Sequence, residues 1–315
     1  MSGLLPFERA AEVMTEVGRV PISDETVWRL TERWGEAIRE REEEGLELAK
    51  AIPGVGWGAV GGRAGRLGAA MDGAMVHIRG EGWKEMKVGC VFEVELHTVE
   101  DPVTGEAAEL GRAVGNSYVG HLGGPEVFGE KLWAEAQRRR WSSVRETETI
   151  GDGAAWIWNL VGEHFYDSEQ VVDWYHGVEH LARAANLAYG EGTAAAKRWY
   201  RKQETALYQG DAARVAQRIA ALAARRGEAG EALRQEAGYF AHNKRRMNYL
   251  ELRAAGWAIG SGMVESGAKQ FKARLTGAGM HWSRAGAERL IPLRAAILSN
   301  RFDVCWQAAY NSPPN

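Results

Sequence analysis

Residues 150–159 read Ile-Gly-Asp-Gly-Ala-Ala-Trp-Ile-Trp-Asn, and this stretch is the strongest indication of the fold. We predict that a strand ends at Asp152 and that a helix follows through residues 156–161. Gly153 leaves room for the backbone to approach a phosphate. A carboxylate in apolar surroundings is costly to keep ionised unless it is paired, hydrogen-bonded or bound to a metal. Asp152 is therefore a candidate catalytic residue.

Two further acidic residues lie in comparable settings. Asp72 precedes Gly73 beside a predicted strand, and Glu265 lies in Gly260-Ser-Gly-Met-Val-Glu-Ser-Gly267, in the first turn of a helix that begins at Ser261. Taken alone, an Asp-Gly pair is most often a turn, and Glu265 is a partner for the helix dipole. Together the three acids predict a metal centre, because Mg²⁺ prefers carboxylate oxygens and two such ions support phosphodiester chemistry.

The composition is that of an ordinary globular protein with one large domain and appendages. Cys90 and Cys305 are the only cysteines, which excludes a thiolate zinc cluster and a disulfide framework. The sequence has no apolar run of membrane-spanning length and no N-terminal signal, so we expect a cytoplasmic protein.

The charges divide unevenly along the chain. Residues 195–301 carry 20 Lys and Arg against 8 Asp and Glu, although the whole chain has a net charge of −3. This division predicts a basic face for a polyanion on an otherwise acidic body. The alternative is that these charges lie on solvated helix faces, which accounts for most charge runs.

Within the basic half, two groups of cations are candidates for contacts with phosphates. Lys269 and Lys272 share a helix face with Glu265, whereas Arg274 is expected to point elsewhere, towards the surface. The second group is Lys244, Arg245 and Arg246, for which a solvated helix turn is an equal alternative.

Composition and periodicity divide the chain into segments. The spacing of apolar residues over 1–50 predicts an N-terminal helical module with a helix-turn-helix outline. One helix covers residues 4–17, and a second begins after Ser23. The second helix is acidic, which opposes insertion into a DNA groove, so docking or oligomerisation is at least as good an interpretation. The Gly-rich residues 51–66 predict a linker or loop.

The remaining segments predict an α/β core with mixed strands. Its first part covers residues 51–190, with alternating apolar residues over 86–96, a helix over 125–140 and an unusually polar strand before Asp152. An all-helical insertion over 191–254, with breaks at Gly210, Gly227 and Gly238, separates it from the second part, 255–306. Residues 307–315 form a tail whose last three residues are frayed.

Three blocks resemble the signature motifs of bacterial insertion-sequence DDE transposases: Asp152-Gly-Ala, Asp173-x-x-His176 and Gly260-Ser-Gly-x-Val-Glu265-Ser. They are most similar to the Kra-type family, which is related to the Mutator-like group. The resemblance covers about residues 4–306, and further stretches support it: Trp83–Val88, Trp156–Trp158, Glu163–Phe165, Tyr189–Thr193 and Gly279–Trp282. Relatives continue upstream of residue 4, which predicts an end-recognition module that is truncated here or supplied by another chain.

The resemblance implies an RNase H-like core, interrupted by an all-helical insertion before the last catalytic acid. By position, Asp72, Asp152 and Glu265 are then the catalytic acids and hold two Mg²⁺ or Mn²⁺ ions. Asp173 and His176 would hold these ligands in place without binding the ions themselves, His176 by orienting a carboxylate or phosphate. An equally good interpretation is that His176 only fixes the end of the strand.

The implied activity is metal-dependent cleavage and strand transfer of DNA at the ends of an insertion sequence, by a polynucleotidyl transferase of the RNase H-like superfamily. The implied partners are double-stranded DNA, as element ends and target, and further copies of the chain, in a nucleoid-associated setting. We expect no nucleotide cofactor, because the sequence has no Walker-type loop. Trp282 is a candidate for stacking on a flipped base, with a place in the core as the stronger alternative.

Two other functions fit parts of the pattern. The first is a truncated or domesticated transposase that binds DNA without strand transfer. The second is a glycoside hydrolase with paired carboxylates and Trp platforms, whose activity would survive chelation of metals.

Overall fold

The computed structural model describes residues 1–51, 65–101, 103–224, 229–277 and 280–311. The described part is an α/β protein built on one mixed, open sheet of five strands in the order β3-β2-β1-β4-β5. The strands are β1 (Arg66–Ile78), β2 (Gly82–Glu100), β3 (Ala107–Leu122), β4 (Glu146–Gly151) and β5 (Glu169–Val172). β1, β2 and β3 pair antiparallel, and β4 and β5 run parallel to β1. The predicted α/β core with mixed strands is confirmed.

Helices cover both faces of the sheet. The helices along the chain are α1 (Phe7–Glu16), α2 (Asp24–Ala51), α3 (Pro125–Arg138), α4 (Ala155–His164), α5 (Trp174–Tyr189), α6 (Ala194–Tyr208), α7 (Ala212–Ala223), α8 (Gly230–Asn243), α9 (Tyr249–Ala254), α10 (Gly262–Leu275), α11 (Arg284–Leu298) and α12 (Phe302–Asn311). Met71 on one face of β1 packs in a cluster with residues of α3 and α4, whereas Ala70 on the other face packs in a cluster with residues of α5, α10 and α11.

The central strands are buried more completely than their sequences indicate. β2 alternates as predicted, but its residues from Met86 to Val91 are buried on both faces, because helices cover both sides of the sheet. β4 is polar and still central: Thr147, Glu148 and Thr149 are all buried. The Thr149 hydroxyl lies 3.0 Å from the Ser168 hydroxyl, which gives one of these polar groups a hydrogen-bond partner.

The segment between α5 and α10 is helical wherever it is described, over α6 to α9. Gly210 lies between α6 and α7, as predicted. The predicted break at Gly238 is wrong, because this glycine lies inside α8, where a single glycine costs about 1 kcal/mol but does not end a helix. Gly227, most of the predicted linker and residues 313–315 lie outside the described residues.

The N-terminal helices lie against the core. α2 begins after Ser23, whose hydroxyl accepts a hydrogen bond from the Thr26 backbone N–H at 3.2 Å, as expected of an N-cap. The guanidinium of Arg289 on α11 pairs with the carboxylates of Glu32 and Glu36 on α2. Part of the acidic surface of α2 therefore binds the core. No helix among the described residues is long and apolar enough to cross a membrane.

Candidate metal centre at the ends of the parallel strands

The register of the three parallel strands aligns three aspartates. Ala70 of β1 pairs with Ile150 of β4, which pairs with Val171 of β5. Two residues further along each strand direction stand Asp72, Asp152 and Asp173. Neighbouring strands are about 4.8 Å apart, so the alignment places one carboxylate per strand in a row across the sheet, within β1 and directly after β4 and β5.

Asp72 lies within reach of the charges of the other two predicted acids. Its Oδ1 accepts a hydrogen bond from the Gly73 backbone N–H at 2.7 Å. Burial raises the pKa of the Asp72 carboxyl, the negative charges of Asp152 and Glu265 raise it further, and the positive charge of His176 opposes them. Asp72, Asp152 and Glu265 thus form one electrostatic cluster, although they come from the middle of β1, the turn after β4 and the first turn of α10.

Asp152 lies in the turn that joins β4 to α4. Its Oδ1 accepts a hydrogen bond from the Ala154 backbone N–H at 2.8 Å, which fixes the carboxylate against the start of α4. Gly153 has a φ of +101°, a conformation that residues with a Cβ rarely adopt. The Asp-Gly pair therefore forms a turn, and this turn also presents a carboxylate to the cluster.

Glu265 lies in the first turn of α10, where the helix dipole stabilises a carboxylate. The predicted apolar face of this helix is buried, with Val264, Ala268, Phe271 and Leu275 in the core, and this burial fixes the direction in which Glu265 projects. The ammonium of Lys269 lies 3.8 Å from the Glu265 carboxylate, on the exposed side of the helix.

Asp173 connects the end of β5 to the beginnings of two helices. Its Oδ1 accepts a hydrogen bond from the His176 backbone N–H at 2.8 Å and so caps α5. Its Oδ2 accepts a hydrogen bond from the Ser261 backbone N–H at the start of α10. Because α10 carries Glu265, the fully buried Asp173 side chain fixes the helix that presents this acid.

His176 adds a positive charge to the cluster. Its Nδ1 lies 3.3 Å from Oδ1 of Asp173. The hydrogen bond with Asp173 raises the pKa of His176 to about 9, with a further contribution from the charge of Asp152, so the ring is an imidazolium at neutral pH. The positive charge of His176 opposes the rise in the pKa of Asp72 that its acidic neighbours cause.

Ligand atoms of Asp173, His176 and Glu265 lie within 4.8 Å of one another, close enough to hold a metal ion. The donor types decide which ion fits. Carboxylate oxygens suit Mg²⁺ and Mn²⁺, and a neutral imidazole also suits transition metals. An imidazolium must lose its proton before it can bind a metal. The carboxylates of the cluster are thus better suited to hard divalent ions than the ring of His176.

The cations predicted from the sequence divide into an exposed group, in which Lys269 has only its 3.8 Å ion pair with Glu265, and one engaged side chain, Arg246. Lys269 is 79% exposed, and Lys272, Lys244 and Arg245 are also exposed. Arg246 is engaged: its Nε donates a hydrogen bond to Gln170 at 2.7 Å, and its guanidinium stacks on the Trp158 ring at 4.2 Å. The four exposed side chains can reach a polyanion without losing an existing hydrogen bond that orders them.

The predicted surface position of Arg274 is wrong, whereas the stronger alternative for Trp282, a place in the core, is confirmed. Arg274 is 2% exposed, because its guanidinium packs against the rings of both Phe7 and Trp282 and donates a hydrogen bond to the Ser2 carbonyl at 2.7 Å. Trp282 is 7% exposed, and its indole N–H donates to the Leu275 carbonyl at 3.0 Å. Trp282 therefore belongs to the core, and its face is not free to stack on a base.

Sequence reasoning missed two features, an exposed tryptophan and a contact to the Asp152 turn. Trp83, at the tip of the hairpin between β1 and β2, is 62% exposed, although only its place in a motif was apparent from the sequence. Tyr239 on α8 donates a hydrogen bond from its hydroxyl to the Asp152 carbonyl at 2.8 Å. These two residues are 87 positions apart in the sequence, so no local pattern indicated that they are in contact.

No protein-family model matches the chain. No curated protein matches it either. The function is therefore inferred from the geometry of the site and from the motifs that the sequence carries.

Proposed function

We propose that the chain is a DDE transposase, which cleaves DNA at the ends of an insertion sequence and transfers the freed strand to target DNA. One observation carries the proposal: three acids from separate elements, the middle of β1, the turn after β4 and the first turn of α10, lie close enough for the charges of Asp152 and Glu265 to act on Asp72. The strand order and the mixed pairing are compatible with an RNase H-like core. The helical segment before α10 is consistent with the insertion that this reading expects.

In this proposal Asp72, Asp152 and Glu265 would hold two Mg²⁺ or Mn²⁺ ions. When bound, the ions would supply an activated oxygen nucleophile and neutralise charge on the phosphate. Asp173 would hold α10, and His176 would place a positive charge beside Asp152, so both act through the acids. The exposed Lys269 and Lys272 would bind the phosphates beside the site, and Lys244 and Arg245 would bind the backbone further away.

The proposed reaction has two steps. Water attacks phosphorus and the bond to the 3′ oxygen breaks, which leaves a 3′-hydroxyl and a 5′-phosphate. That 3′-hydroxyl then attacks a phosphorus of target DNA, a new phosphodiester forms, and the 3′ oxygen of the target strand leaves. The two steps use the same three acids, because each step breaks one phosphorus–oxygen bond and forms another.

The test is cleavage of a plasmid that carries the coding sequence with its genomic flanks, incubated with the full chain and Mn²⁺. We expect nicked and linear DNA with the wild type and with Asp167→Asn, a control at an exposed aspartate outside the cluster. Asp152→Asn should abolish cleavage, as should chelation of the metal.

If wild type and Asp152→Asn bind DNA equally and are both inert, the chain is the alternative, a DNA-binding protein without strand transfer. Hydrolysis of a glycoside that survives chelation would favour the hydrolase instead.

A further inference from the structure

The turn that carries Asp152 is held from outside the sheet by helix α8. The Tyr239 hydroxyl donates a hydrogen bond to the Asp152 backbone carbonyl at 2.8 Å. The same ring packs against Gly153, where an added Cβ would lie 2.6 Å from a ring carbon of Tyr239. The Asp152 carboxylate depends on this turn, because it accepts its own hydrogen bond from the Ala154 N–H inside it.

A second set of contacts fixes the ring of Tyr239. The imidazole of His180 on α5 stacks on it, with ring centroids 3.5 Å apart and an interplanar angle of 14°. His180 is held in turn by Glu236, whose carboxylate lies 2.6 Å from Nδ1 of His180 and 3.5 Å from the guanidinium of Arg183. Glu236 and Tyr239 lie three residues apart on one face of α8, so the helix presents both to α5.

The end of α8 is anchored to the same part of the sheet. Within α8 itself, the Asn243 side-chain amide donates a hydrogen bond to the Tyr239 carbonyl at 3.0 Å. Arg246, in the turn that follows, binds Gln170 of β5 and stacks on Trp158 of α4. These contacts hold the Tyr239 side chain in place against the Asp152 turn.

We propose that Tyr239 is a positioning residue for the metal centre: its hydroxyl, held by the His180–Glu236 pair, fixes the Asp152 turn in the conformation that presents the carboxylate to a divalent ion. This inference rests on the proposed function, in which Asp152 is a metal ligand. Groups that orient a metal ligand typically contribute 10–100-fold to metal affinity or activity. The helical segment therefore completes the site as well as adding basic surface.

The test is calorimetric titration of the full chain with Mn²⁺, without DNA. Tyr239→Phe removes the hydroxyl and keeps the ring that stacks on His180. We expect Mn²⁺ to bind about 10–100-fold more weakly to this variant, with urea-induced unfolding changed by no more than about 1 kcal/mol.

The matched control is Tyr208→Phe. Tyr208 is also buried and also loses a hydrogen bond, to Asp101 at the turn between β2 and β3. The Tyr208→Phe variant should bind Mn²⁺ with the affinity of the wild type. Glu236→Gln is a second test, because it keeps the volume of the side chain and weakens the contact between residue 236 and His180. This variant should lower Mn²⁺ affinity less than Tyr239→Phe.

The outcomes separate the inference from the proposed function. If Asp152→Asn weakens Mn²⁺ binding while Tyr239→Phe and Glu236→Gln bind like the wild type, Tyr239 is ordinary packing and the inference is overturned. If the wild type binds no Mn²⁺, or Asp152→Asn binds it unchanged, the metal centre itself fails. Equal losses in Tyr239→Phe and Tyr208→Phe would also overturn the inference, because the effect would then not be specific to the Asp152 turn.

Discussion

Asp173→Asn is expected to weaken both the fold and the metal centre. The wild-type carboxylate accepts one backbone N–H with each oxygen, from His176 and from Ser261, and it pairs with the His176 imidazolium. An asparagine has a single acceptor oxygen, so its NH₂ group must face one of the two N–H donors. Because the side chain is fully buried, that donor finds no water in exchange.

The expected loss of stability follows from these contacts. A buried N–H without a partner costs about 1–3 kcal/mol. Loss of the charge partner of the half-buried His176 adds about 1 kcal/mol, since the exposed part of that ring is screened by solvent. We therefore expect Asp173→Asn to lower the free energy of unfolding at pH 7 by about 2–4 kcal/mol.

Urea-induced unfolding in the presence of a chelator measures this loss without a contribution from metal. The matched control is Asp211→Asn, at the N-cap of α7, where the side chain makes no capping hydrogen bond and only an exposed ion pair with Arg214. It should stay within about 0.5 kcal/mol of the wild type. If Asp173→Asn also stays within that range, Asp173 does not connect α5 and α10 in the way described.

Three further predictions concern single residues. Because Asp173 raises the pKa of His176 to about 9, the pair should stabilise the fold fully below about pH 6.5 and lose this contribution as the pH rises through 9. Without metal, the free energy of unfolding of His176→Gln should lack this pH dependence and be about 1–2 kcal/mol lower than that of the wild type at pH 6. An unchanged slope would contradict the pairing. Trp282→Ala should cost about 3–5 kcal/mol of unfolding free energy and Trp83→Ala less than about 0.5 kcal/mol, so equal losses would argue against the core position of Trp282. Burial raises the pKa of the Glu148 carboxyl well above its usual range, so Glu148→Gln should be more stable than the wild type by a margin that grows as the pH rises above about 4.5; a margin independent of pH would refute this.

Local patterns were sufficient to predict several elements of the fold. The start of α10 after Ser261 and its buried face follow from apolar residues three and four apart, which is a property of the segment alone. The same holds for the passage from β4 into α4 around Asp152, and for the alternation in β2. The extent of burial was not predictable from β2 or β4 themselves, because it depends on helices from distant parts of the chain.

The errors have the same origin in contacts between distant segments. Arg274 has the spacing of a surface residue on α10, but its guanidinium packs against the rings of Phe7 and Trp282. Gly238 is a helix breaker by composition, yet the packing of α8 against α7 and α5 keeps the helix continuous. In the candidate site, the three acids could be selected from their motifs. The bond from Ser261 to Asp173 and the bond from Tyr239 to Asp152 could not.

The central claim is that Asp72, Asp152 and Glu265 hold two divalent ions, with Asp173 and His176 in support. A crystal of the full chain soaked in Mn²⁺ and measured at the manganese absorption edge tests it directly. The account predicts two anomalous peaks roughly 3.5–4 Å apart, in contact with Asp72, Asp152 and Glu265. A single peak on Asp173, His176 and Glu265, with Asp72 and Asp152 unliganded, would contradict it.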